Sequence, residues 1–138
     1  MKEKTKSVQY ATFEAIHNNI LLVKFNSRPS KGDFDKYLAE LKRWYSEVEE
    51  SMIVIFDARK ARYVSSNLRH KQAQWIKENK SLIREKLILV IYVIDNPVIK
   101  FVLEAIFLLH KSPVPFEIVK TRDEAESTAL EYFEVNTL

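Results

Sequence analysis

Between Phe34 and Val48 the apolar residues recur at three- and four-residue steps: Phe34, Tyr37, Leu38, Leu41, Trp44, Tyr45 and Val48. Asp35, Lys36, Glu40, Lys42, Arg43 and Glu47 fill the other positions. That spacing places one apolar stripe on a 3.6-residue helix, and Asp33 stands where a cap is needed. Met52 to Phe56 is different, an unbroken apolar run rich in branched residues, and predicts a strand covered on both faces. Leu87 to Ile94 reads the same way.

Around these anchors the remaining elements follow. Val8 to Ile16 and Ile20 to Phe25 are strand-like runs separated by His17-Asn18-Asn19. Asparagine tolerates left-handed backbone, so a hairpin is expected. Leu68 to Glu85 predicts a helix with a thinner apolar face of Leu68, Ala73, Ile76, Leu82 and Ile83. Asn96-Pro97 combines an N-cap with proline at the first helical position, opening a helix that runs to about His110. Ser112-Pro113-Val114-Pro115 forces an extended link to a short strand, Phe116 to Val119. Thr121 to Glu124 has the form of a capping box and launches a last helix with Ala125, Ala129, Tyr132 and Phe133 on one face.

The predicted order is β-β-α-β-α-β-α-β-α. Such alternation argues for an α/β fold: a mixed, mainly parallel sheet of about five strands with four helices and right-handed crossovers. The first strand joins antiparallel through its hairpin. No linker or low-complexity tract interrupts residues 1–138, which read as one domain with residues 1–7 as a frayed start.

Composition narrows the function classes. The 22 Lys and Arg against 19 Asp and Glu leave a net charge of +3, below the cationic density of a dedicated nucleic-acid binder, so no nucleic-acid partner is expected. Cysteine is absent, which removes disulfides, thiolate metal sites and a cysteine nucleophile. Gly32 is the only glycine, so the glycine-rich loops that cradle phosphates are excluded. Leu87 to Ile94 and Val98 to Leu109 both fall short of the roughly 20 apolar residues of a membrane span. An integral membrane protein is therefore not expected. Met1 to Lys6 has no apolar run behind it, and together with the lack of cysteine this fits a cytoplasmic protein.

Two regions carry candidate chemistry. The first is the corner between the Met52–Phe56 strand and the second helix, where Asp57, Arg59, Arg62, Asn67 and Arg69 surround Ser65 and Ser66. A hydroxyl at a helix N-terminus either caps the helix or sits where a phosphate would be welcome. The second is the helix from Pro97, whose apolar residues exceed one buried stripe. Leu103, Phe107 and Leu108 are candidates for an interface or ligand patch, covered by a second copy of the chain in a homodimer, by a lipid or other apolar small molecule, or by neighbouring helices. Trp75 is either core or a contact residue. Catalysis has little to stand on: His17, His70 and His110 lack metal-ligand spacing. Asp57 and Asp95 alone sit at strand ends, the usual ligand crevice of α/β proteins. No enzyme activity, metal or cofactor is expected.

The element order and the segment from Phe56 to Leu68 resemble the STAS domain (sulfate transporter and anti-sigma-factor antagonist). The chain is most similar to the small stand-alone STAS-like proteins of bacteria. Asp57, Ser65-Ser66, Arg69, Ala73 and Trp75 match that branch, as do Val93 to Phe101, Ala105-Ile106-Phe107, Pro113 to Phe116 and Lys120 to Ala125. The resemblance implies a non-catalytic regulatory module that acts on a protein partner, with phosphorylation of Ser66 as its switch. The family's aspartate before that serine and glycine after it are replaced here, the segment reading Ser65-Ser66-Asn67-Leu68.

Overall fold

A computed structural model of the protein describes residues 5–17, 19–26 and 29–136. Six strands form one sheet in sequential order: β1 (Thr5–Ser7), β2 (Ala11–His17), β3 (Ile20–Phe25), β4 (Met52–Asp57), β5 (Leu87–Val93) and β6 (Phe116–Val119). The first three strands pair antiparallel, and β3 through β6 pair parallel. Five helices accompany them: α1 (Lys31–Glu47), α2 (Ser66–Glu78), α3 (Lys80–Lys86), α4 (Pro97–Leu109) and α5 (Arg122–Asn136).

The expected α/β architecture is present, with one more strand and one more helix than the pattern predicted. The extra strand is β1, in the stretch expected to fray. Its Thr-Lys-Ser is polar and exposed, so no alternation marks it; it is held by pairing with Thr12, Phe13 and Glu14. Residues 1–4 of that stretch lie outside the described residues. The second strand accordingly begins at Ala11, because Val8 N–H donates to the Ala11 carbonyl (2.9 Å) in the turn between β1 and β2.

The extra helix comes from a break in the expected helix of Leu68 to Glu85. Asn79 is buried there, and both its backbone N–H and its Nδ2 donate to the Trp75 carbonyl at 2.9 Å, closing α2 before α3 begins. The cap of α1 also moves. Ser30 Oγ accepts from Asp33 N (3.1 Å) and the Asp33 carboxylate accepts from Ser30 N (3.4 Å), so Ser30 is the cap and Asp33 the third helical residue of a capping box. The hairpin after β2 has Asn19 at φ 65, a left-handed position that asparagine tolerates; Asn18 lies outside the described residues.

Alternation along the parallel strands divides the core in two. Val54, Phe56 and Val90 face α1 to α4 and pack on the apolar stripe predicted for α1. Ile53, Ile55, Leu89 and Ile91 face the other way, where Ala125 and Ala129 of α5 close over them. Every residue of β4 is buried, as its unbroken apolar run predicts. No helix among the described residues is long and apolar enough to cross a membrane.

Candidate functional site at the β4–α2 corner

β4 delivers Asp57 to its carboxyl end on the α5 side of the sheet, in register with Val93. The side chain is almost fully buried, and Arg59 wraps back onto it: Nε donates to Oδ1 (2.9 Å), Nη2 to Oδ2 (2.7 Å) and the backbone N–H to Oδ1 (3.2 Å). Burial works against the charged carboxylate, but the hydrogen bonds and charge of Arg59, with Arg122 adding to them, outweigh it and hold Asp57 below its ordinary value. Asp57 was expected among the partner-contacting residues. Its burial gives it another task, which is to anchor the loop of residues 58–65. Arg59, its partner, is the member of the pair that reaches solvent.

Because the folded-state value is depressed, this pair stabilises the fold fully above the carboxylate's ordinary value near 4 and loses that contribution as pH falls through the lower folded value. Asp57→Asn is expected to cost about 1–2 kcal/mol at pH 7, the low end for a charged hydrogen bond because Arg59 is partly exposed. Urea denaturation across pH 2–7 checks this. The gap between variant and wild type narrows below pH 4; a gap that stays constant contradicts the assignment.

The two serines divide the roles that sequence left open. Ser65 is the N-cap of α2, its Oγ accepting from Leu68 N at 3.4 Å. Ser66 is the first helical residue, exposed, and its hydroxyl makes no hydrogen bond among the described residues; only its carbonyl is engaged, 2.8 Å from His70 Nδ1. Asn67, the next residue, and Arg62, four residues before it in the chain, are also exposed. Arg69 is committed inward. Nη1 donates to the Val64 carbonyl (2.8 Å) and to the Tyr63 hydroxyl, and the guanidinium lies over the rings of Tyr63 (5.1 Å) and Phe101 (5.9 Å). It thereby ties the loop to α2 and α4.

The α4 patch is placed differently from expectation. Leu108 is exposed, at 89 %. Leu103 and Phe107 turn inward: Leu103 packs on Ala58, Ile94 and Ile99, and the Phe107 ring lies 5.0 Å from Phe116 and 6.2 Å from Tyr92. The exposed apolar residues of α4 are instead Val98, Phe101, Leu108 and Leu109. Phe101 was missed by periodicity because it fell within an apolar run; its place over Arg69 needs the tertiary structure. Trp75 is partly buried against Tyr45 (6.2 Å). Among the described residues no group of three or more His, Asp or Glu stands together to hold a metal.

No protein-family model matches the chain, and no curated protein matches it. Solved structures do. An uncharacterized protein of the DUF3478 family from Shewanella loihica PV-4, described as having a SpoIIAA-like fold, aligns with a TM-score of 0.60 at 9 % identity, covering 91 % of this chain and 90 % of that one. The anti-sigma factor antagonist SpoIIAA in its unphosphorylated form aligns with a TM-score of 0.55 at 10 % identity, covering 88 % and 96 %. The chain therefore has the SpoIIAA-like, or STAS-like, fold that its residues resemble.

Proposed function

We propose that this protein is a non-catalytic regulatory module that docks a protein partner at the β4–α2 corner, with Ser66 as the residue whose modification governs docking. The likeness to SpoIIAA supports a regulatory, partner-binding role. The observation that carries the choice of Ser66 is the division of labour between the serines. Ser65 caps α2, so the Ser66 hydroxyl is exposed and has no structural duty among the described residues.

A phosphate there gains the backbone N–H groups and positive dipole of the first turn of α2. It also adds about −1.5 to −2 charges to a segment that carries Arg62 four residues earlier. The corner then changes sign locally while Ser65 keeps the helix start intact. Asn67, Arg62 and Arg59 are the exposed contact residues in this reading, and Asp57 and Arg69 hold the loop that presents them.

The test uses affinity capture from the native cell extract with three forms of the protein. Wild type and Ser66→Ala are expected to retain the same partner, and Ser66→Glu to lose at least tenfold of it with an unchanged melting temperature. Equal retention by Ser66→Glu would contradict the reading. Ser65→Ala, which removes the cap, is expected to cost about 1 kcal/mol of stability without changing the partner.

A further inference from the structure

Between the sheet and α1 to α4 lies a cavity of about 130 Å³, walled almost entirely by apolar side chains. Four tyrosines line it: Tyr10 and Tyr92 from the sheet side, Tyr37 and Tyr45 from α1. No hydroxyl of the four has a hydrogen-bond partner among the described residues, although Tyr10, Tyr37 and Tyr45 are buried. Trp44 Nε1 is the one side-chain polar atom sealed away without a partner among those residues. All four tyrosines line the cavity, and among the described residues none of their hydroxyls is sealed away as the Trp44 indole N–H is. The Tyr10 and Tyr37 rings meet edge to face, their centroids 5.3 Å apart, and burial above all pushes the Tyr37 hydroxyl well above its ordinary value.

Protein interiors pack like organic crystals, and unfilled space forfeits the contacts its walls would otherwise make. An apolar cavity lined by a few side chains that carry a polar group is the form of a small-molecule site. Its size is close to the roughly 150 Å³ of an engineered apolar cavity that holds one benzene molecule.

Ser112, Pro113 and Val114 are among the residues that line the cavity. The same three residues also line a second cleft, whose other walls are Lys80, Arg84, His110 and Lys111 beside Pro115 and Phe116. No carboxylate lines that cleft. Arg84 Nε reaches the Pro113 carbonyl at 3.5 Å, fixing a guanidinium at the rim. Guanidinium is the group best shaped to hold a carboxylate through paired hydrogen bonds.

We propose that the protein binds a small anionic amphiphile, a carboxylic acid with an aromatic or aliphatic body of about six to eight carbons. The body lies among the four tyrosines and Trp75, and the carboxylate rests on the cationic rim at Arg84, Lys80 and Lys111. Ala58, Ala61, Arg62 and Val64 of the corner loop line the cavity, but Ser66 does not, and the inference does not depend on what docks at the corner.

Isothermal titration of the full chain with sodium octanoate, sodium phenylacetate and 1-octanol tests it. Both acids are expected to bind saturably at one site, with octanoate at least tenfold tighter than 1-octanol. Arg84→Gln is expected to erase most of that tenfold while leaving 1-octanol unchanged. Ile106→Trp, which fills the cavity from α4, is expected to abolish binding of all three. Because that variant can fail to fold, nuclear Overhauser contacts from octanoate methylenes to the rings of Tyr37 and Tyr45 are measured in the wild type as well. Absence of saturable binding, or binding without those contacts, would overturn the cavity assignment. Equal affinity for acid and alcohol would overturn the anionic class. Arg62 is the charged residue that lines the cavity itself, so loss of acid binding in Arg62→Gln with none in Arg84→Gln would overturn the placement of the carboxylate.

Discussion

Trp44→Ala is expected to remove about 3–5 kcal/mol of stability, the range for emptying a large aromatic side chain from a core. Trp44 is fully buried on α1 and stacks on Phe13 of β2, with ring centroids 6.2 Å apart and planes 10° from parallel. It therefore joins the antiparallel half of the sheet to the helix that begins the parallel half. The indole N–H has no hydrogen-bond partner among the described residues, so the lost energy is packing and apolar burial rather than hydrogen bonding. Trp44→Phe separates the two: it keeps most of the ring and deletes the unpaired donor, and is expected to cost no more than about 1.5 kcal/mol. Urea denaturation of both variants checks the pair. Similar losses for Phe and Ala would mean that the indole nitrogen, not the ring volume, holds the core together.

The second large effect lies on the opposite face. α5 reaches the sheet through Ala125 and Ala129, both wholly buried over the face formed by β4 and β5. Alanine is what permits that approach, since any longer side chain must lift the helix or displace Ile53, Ile55, Leu89 or Ile91. Ala129→Leu is expected to cost about 1–3 kcal/mol through overpacking, lowering Tm by roughly 3–10 °C. Leu130→Ala, one residue along the same helix and half-exposed, is expected to stay within about 0.5 kcal/mol of wild type. A thermal melt in which Ala129→Leu matches wild type would show that α5 is not seated as described.

Where the hydrophobic pattern was strong, the fold was legible. The stripe of α1 and the continuous apolar run of β4 each had a single interpretation, and all of their apolar residues are buried. The capped starts at Asn96 and Thr121 were equally readable, because each side-chain oxygen accepts from the backbone two or three residues on, at 2.7 and 3.1 Å. Three features were not. β1 is three polar residues whose strand state depends on its neighbour. The break at Asn79 needs a buried amide to meet a carbonyl four residues back, which no periodicity reports. The start of α1 was displaced because Lys31-Gly32 reads as loop, though Ser30 and Asp33 carry the capping-box spacing.

The candidate site was legible as a location but not as a set of roles. Sequence placed Asp57, Arg59, Ser65, Ser66 and Arg69 near one another through the strand–loop–helix connection. It had no means of telling that Arg59 would neutralise Asp57, that Ser65 would take the cap, or that Arg69 would lie over Phe101. The first two are set by the path of the loop backbone, and the third by packing between α2 and α4. The cavity was invisible for the same reason, since its four tyrosines come from elements far apart in the chain and each, taken alone, reads as ordinary core.

Site-specific photo-crosslinking tests the docking surface most directly. A benzoylphenylalanine replacing Asn67, at the exposed start of α2, is expected to form an adduct with one protein of the native cell extract. The same probe replacing Leu130, on the exposed side of α5, is expected to form none, and Ser66→Glu in the Asn67 variant is expected to abolish the adduct. An adduct from position 130 with none from position 67 would contradict the account.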